Sequence, residues 1–420
     1  MYLCKTECKM PTQHPFIFQD NDTATKHNMH ILHSSLNHLG HTINAHPSSS
    51  ISYGSEFYLI HQLEWLLSSH HLWPKLKWIL TIGSNYPLTP CIESERIQDI
   101  TIFHKYGNHK SVSMHEGAAL THDLLSKDVQ HEHTNPLPAS YIDSIIGSEI
   151  CPIGIMKQYT ISTQGEIVGK YRACHDNTFA GPSGASVNIC TVMMALEPCS
   201  YGHCLHCPLH HIHFLCLQYP STPIFISKMD LDSAYWHMHM SWKSAMTCIC
   251  ILSHMAYLIL CLPFGTAAAP PEFCIASEVT CDIANALLLD PTWDPTITTS
   301  PLHHLLPPPI LQVASIPFAM ALRLNVTPPM LDISKCDLYI NDILMISLFL
   351  PHLIYCLTTA VAVTIHCIFR PQHPSESHCC SHVLSLHKIN DFTQLSLLIR
   401  VMCLIGVTSA STSNSGSDPN

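Results

Sequence analysis

The sequence predicts an α+β chain, on three observations. Helical apolar spacing is concentrated in the first third, near Phe57 to Leu67, Ile97 to Tyr106 and Ala118 to Val129. From Ile153 onward the pattern turns to short β-rich runs joined by turn signals. At 420 residues and 47% hydrophobic, the chain has the material for two or three domains with cores of their own.

The segments between the first helices are rich in Ser, His and Pro. Trp65, Trp73 and Trp78 are expected to pack a small core there. Residues 1–148 thus form a mainly helical region to which no motif gives a role. Ile153 to Ile161 and Ile167 to Cys174 then read as two strands joined by Ser162-Thr163-Gln164-Gly165-Glu166, a hairpin signal. Gly181-Pro182-Ser183-Gly184 is a turn, and Ala195 to Tyr219 is expected to be helical in its second half.

Ile224-Phe225-Ile226 leads into Asp230 as a strand, Ala234 to Met240 is expected to start a helix, and Cys248 to Leu262 is a second strand pair. The segment 289–330, with Pro307-Pro308-Pro309 and Pro328-Pro329, reads as an extended surface insertion. Asp337 to Ser347 is a hairpin with Asn341-Asp342 at its turn. After Arg370 the pattern is lost, and 371–420 is expected to be a disordered tail ending in a Ser/Thr/Gly-rich stretch.

Charge narrows the function. Only 12% of residues are charged and the net charge is -11, which opposes tracking of a phosphate backbone. Five Arg stand against 14 Lys, while His (33) and Cys (21) are inflated. Arginine codons that begin CG become Cys, Trp, His or Gln codons by single transitions. Our hypothesis is that the composition records decay of a once basic protein. Arginine at these His, Cys and Trp positions in related sequences would support it, and its absence there would refute it.

The cysteine count is odd, and Met1-Tyr2-Leu3-Cys4-Lys5 opens no apolar signal region, so reduced thiols in the cytoplasm or nucleus are expected. Two long uncharged stretches, Ser244 to Pro271 and Ile343 to Phe369, are interrupted by proline and read as buried strands with a packed helix, not as membrane spans. No Gly-x-Ser-x-Gly elbow and no P-loop is present.

Three patches carry chemistry by their order and internal spacing. They are Asp230-Leu231-Asp232-Ser233-Ala234-Tyr235, then Leu262-Pro263-Phe264-Gly265 followed by Ala269-Pro270 and Phe273, then Tyr339-Ile340-Asn341-Asp342. Upstream, Arg172 and Asp176 form an Arg-x-x-x-Asp pattern. This ordered set, over roughly residues 150 to 350, resembles motifs A, B and C of the reverse transcriptase palm, nearest to those of retrotransposons.

The resemblance implies a right-hand polymerase fold, with fingers and palm over 149–370. It implies RNA-directed DNA synthesis on an RNA or DNA primer-template with deoxynucleoside triphosphates and Mg2+. Asp230 and Asp342 match metal-binding carboxylates, and Asn341 stands where the family has the other catalytic aspartate. Tyr235 matches the aromatic that crowds the sugar 2′ position. Phe264, Gly265 and Tyr339 match substrate-side positions, and Arg172 matches the residue that holds the triphosphate. A planar guanidinium suits phosphate oxygens, while Asp176 is expected to fix the hairpin.

The departures point to a pseudoenzyme. A neutral Asn341 cannot bridge two divalent ions as a carboxylate does. About 65 residues separate motif B from motif C, and no primer-grip, thumb or RNase H pattern follows. The alternative function is a zinc-binding or non-catalytic nucleic-acid interaction module built on Cys199, Cys204, Cys207, His210, His211 and His213, which are ligand types zinc prefers. A single Cys-x-x-Cys is what chance gives at this cysteine content, so that alternative ranks second.

Overall fold

A computed structural model describes residues 53–89, 91–114, 116–131, 133–144, 147–161, 167–198, 206–231, 233–297, 333–340, 342–370 and 379–382, with Thr23 and Lys26. The longer elements are, in order, α1 (Ile60–Leu67), α2 (Trp73–Ile82), α3 (Glu93–Tyr106), α4 (Gly117–Gln130), β1 (Thr134–Pro138), β2 (Ile153–Ile161), β3 (Ile167–His175), α5 (His206–Gln218) and β4 (Ile224–Leu231). They continue with β5 (Ile249–Leu252), β6 (Met255–Ile259), α6 (Ala269–Leu289), β7 (Lys335–Tyr339), β8 (Asp342–Leu348), α7 (Pro351–Ile368) and β9 (Cys379–His382). Every strand ladder is antiparallel, so the described chain is mixed α/β with antiparallel sheets.

Two compact units divide it: Met1–Cys199 with Ser233–Ala276, and Ser200–Asp232 with the chain from Ser277. In the first unit, α1 buries Leu63 and Leu67, one helical turn apart. Helix α2 starts with proline at N1/N2 and buries Trp73, Leu76, Ile79 and Leu80. Trp65 is 79% exposed and Trp78 58% exposed, which corrects the expectation that both pack a core. Each lies on the helix flank away from its buried stripe. Helix α3 carries Glu93 and Glu95 in its first turn and His104 and Lys105 in its last, complementing the helix dipole, and stops at Gly107 with φ 70°.

Sheet β1-β6-β5 and ribbon β2-β3 complete this unit. The ribbon pairs Ile153 with His175 at its buried base and Ile161 with Ile167 at its far end, where Ile167 is exposed. Ala234 to Met240 differs from the expected helix: only Ala234–His237 forms a 3-10 turn, and His239 and Met240 are extended, bridging Cys261 and Ser84. Ser233 enters that turn with φ 53°, in the left-handed region.

In the second unit the sheet order is β7-β8-β4-β9. One face of β4 and β8 is apolar at one end, where Ile224, Ile226, Ile346 and Leu348 pack with Ile212 and Leu215 of α5. The other face is buried throughout, through Phe225, Ser227, Met229, Ile343, Met345 and Ser347, and α7 packs on β8. Helix α7 begins at Pro351 and is long and apolar enough to cross a membrane by length and composition, yet ten of its residues are buried in this unit. Strand β9 falls within the span expected to be unpatterned. The rest of 371–420, and most of the expected insertion at 289–330, lie outside the described residues.

Candidate active site

In the second unit, the antiparallel register of β4 and β8 sets Asp230 directly opposite Asp342. Strand β9 lies on the other side of β4 and pairs Cys380 with Asp230, so Asp230 sits in an interior strand. Strands β7 and β8 are joined through Ile340 and Asn341, with Tyr339 paired to Asp342 at the base of the turn. Two-residue hairpin loops require φ above zero at their first central residue, a conformation that glycine or asparagine adopts most easily. Ile340 adopts it with φ 62°, an unfavourable state for a β-branched side chain. Asn341 itself lies outside the described residues, as does Asp232.

Beyond the apolar end covered by α5, this face of the sheet becomes charged. The Lys228 ammonium lies 2.7 Å from Asp342 Oδ1, with the two side chains 21% and 18% exposed. Lys228 is opposite Leu344, so it reaches Asp342 along the diagonal of the ladder. On the neighbouring strand, Lys335 lies 3.9 Å from Asp337, and burial pushes the Asp337 carboxyl up from its ordinary range.

The other motif residues gather in the first unit. Tyr235 is buried, with its ring 4.9 Å from Phe264 and 5.7 Å from Phe273. The Arg172 guanidinium stands 5.4 Å from the Phe264 ring centre, a cation–π distance. Gly265 has φ +104°, and a Cβ there would lie 2.3 Å from the His175 carbonyl oxygen, so the Leu-Pro-Phe-Gly turn presses against the end of β3 and only glycine fits. Asn188 holds the same turn: its Nδ2 donates to Gly265 O and its Oδ1 accepts from Ala267 N, each at 2.7 Å.

Asp176 anchors the ribbon. Its carboxylate is 3.0 Å from His109 Nε2 and accepts from Thr178 N, while its own backbone N–H donates to Pro152 O. Of the zinc-alternative residues, Cys199 and Cys204 lie outside the described residues. His211 is buried with its imidazole pushed down to about 4 by burial, whereas Cys207, His210 and His213 are exposed.

No family model matches the chain, and no curated protein matches it significantly. Among solved structures it is similar to the prototype foamy virus protease-reverse transcriptase, as the selenomethionine-labelled CSH mutant, with a TM-score of 0.32, 12% identity and coverage of 76% of this chain and 31% of that one. It is also similar to the foamy viral protease-reverse transcriptase in complex with dsDNA, with a TM-score of 0.32, 12% identity and coverage of 74% and 49%. The chain therefore spans less than half the length of these proteins.

The structure thus brings Asp230 and Asp342 into register in one unit and gathers Arg172, Tyr235, Phe264 and Gly265 in the other. Two residues escaped the sequence reading. Lys228 was legible in principle, because a strand residue two positions before Asp230 belongs to the same alternating set. Asn188 gave no signal, since its partners lie 77 and 79 positions away in sequence.

Proposed function

We propose that this chain is a retroelement-derived reverse transcriptase domain that has kept the polymerase scaffold and lost two-metal nucleotidyl transfer. The observation that carries the reading is the register of Asp230 against Asp342, next to a two-residue turn that contains Asn341. Motif residues separated by more than a hundred positions in sequence become strand neighbours. That is the arrangement a carboxylate pair needs if it is to share a cation.

In the ancestral reaction, carboxylates at positions 230 and 341 would hold Mg2+, which would supply activation of the primer hydroxyl and charge stabilisation at the leaving pyrophosphate. The donor set of this chain does not fit a pair of such ions. Position 341 is a neutral amide, and Asp342 already meets an ammonium at 2.7 Å.

The substrate-side residues keep chemistry suited to a nucleotide. Arg172 offers a planar guanidinium for phosphate oxygens, and the Phe264 ring beneath it limits its orientation. Tyr235, wedged between Phe264 and Phe273, would set the steric limit at the sugar. An RNA or DNA primer-template and deoxynucleoside triphosphates are the partners this reading assigns. The net charge of -11 predicts weak binding of the duplex.

Primer extension on an RNA template tests the reading. The unmodified chain is expected to give no extended product with either Mg2+ or Mn2+. Robust extension would overturn the proposed loss of chemistry.

A further inference from the structure

On the charged face of the β7-β8-β4-β9 sheet, Asp342 and Asp337 are each met by a lysine of the same sheet, Lys228 at 2.7 Å and Lys335 at 3.9 Å. Asp230 stands opposite Asp342 in register. Like charges directly opposed across antiparallel strands destabilise the pair unless a cation intervenes. We propose that Lys228 is the resident cation at Asp342, in the strand pair that sets Asp230 in register with it, so that the two acid-bearing strands pair without a divalent ion.

Lys228 is on the strand that carries Asp230 and pairs with the carboxylate of the strand opposite, so one ammonium links the two strands that bear the acids. An ammonium is a compact point charge with three donors on a flexible stem, and it can serve several oxygens without imposed geometry. With Asn341 neutral, two carboxylates and one ammonium leave a single negative charge. That is too little to hold a dication against its own hydration. An aspartate at 341 would add the charge that makes a metal competitive. The inference deepens the proposed loss of two-metal chemistry and rests on that reading for why a metal would be expected there, but its readout is binding, not synthesis.

Titration of the full chain with Mn2+, followed by the electron paramagnetic resonance signal of free Mn2+, tests it together with thermal denaturation. The native chain is expected to show no saturable Mn2+ site and no change in Tm with the metal. Lys228→Met should melt lower without metal, gain a saturable Mn2+ site that the native chain lacks, and regain Tm when Mn2+ is added. Lys228→Arg, which keeps the charge, should behave as the native chain. A saturable Mn2+ site in the native chain that disappears in Asp342→Asn would overturn the proposal, whether or not Lys228→Met folds. So would a folded Lys228→Met that binds Mn2+ no better than the native chain. Primer extension reads the polymerase proposal separately.

Discussion

Asn188 clamps the turn at Gly265 from both sides, donating to the Gly265 carbonyl and accepting from the N–H of Ala267 two residues on. The turn is thereby tied to the one-turn helix Val187–Cys190 that follows the β2-β3 ribbon, and the Phe264 ring is held between Tyr235 and Arg172. Removing the amide strands the partly buried N–H of Ala267 and leaves the exposed Gly265 carbonyl to water. Asn188→Ala should cost about 0.5–1.5 kcal/mol, read as a lower urea midpoint with an unchanged slope. Asn188→Asp keeps the acceptor alone and should lose less. Equal stability of all three chains would mean that the clamp is incidental.

Gly265→Ala is the harsher change. A Cβ 2.3 Å from the His175 carbonyl oxygen, at φ +104°, requires backbone movement at two places at once. A loss of about 3 kcal/mol or more is expected, with Arg172 and Phe264 displaced from each other. Tolerance of alanine within about 0.5 kcal/mol would contradict the close approach.

Strain at the β7-β8 turn can be released. Ile340 sits at φ 62°, where a branched side chain costs about 1–2 kcal/mol. Ile340→Asn, suited to a left-handed backbone, should raise stability by about 1 kcal/mol. A fall in Tm instead would show that the packing of the Ile340 side chain outweighs its backbone cost.

Burial pushes the Glu149 carboxyl up to about 7, with Asp99 adding to the rise and Arg96 opposing it. A folded-state pKa above the unfolded value means that the native state binds the proton more tightly. The associated stability is fully present below the unfolded pKa of about 4.3 and is lost as pH rises through 7. Glu149→Gln removes that dependence. Relative to the native chain, its stability should grow by about 2–3 kcal/mol between pH 4 and pH 8. His133, pushed down to about 3 by burial, works in the opposite sense, favouring the fold at high pH and losing that effect as pH falls below about 6.5. Comparing two chains that share His133 cancels its contribution. A difference that does not change with pH would contradict the desolvation of the Glu149 carboxyl.

Parts of this fold were legible because local patterns agreed with tertiary demands. The β2-β3 ribbon was readable from two β-rich runs about a turn, and its ladder runs from Ile153 to Ile161 against Ile167 to His175. The β7-β8 hairpin was readable in the same way. Strand β1 was hidden by Pro136 and Pro138, which an edge strand tolerates and which sequence patterns read as loop. The segment after Tyr235 looked helical, but His239 and Met240 are held extended by bridges to Cys261 and Ser84, partners that no local pattern shows. The same holds for the site. Asp230 and Asp342 could be named from motif order, whereas the Lys228 contact depends on register across two strands more than a hundred positions apart.

The most direct test of the central claim is single-nucleotide incorporation by Asn341→Asp, with and without Asp230→Asn, on an RNA template with Mn2+. Restoring the carboxylate adds the charge that a dication needs, while Lys228 beside Asp342 and the net charge of -11 still work against metal and template. The account predicts no product from the native chain, trace product from Asn341→Asp, and none once Asp230→Asn is added. Robust incorporation by the native chain, or product from Asn341→Asp that survives Asp230→Asn, would contradict it.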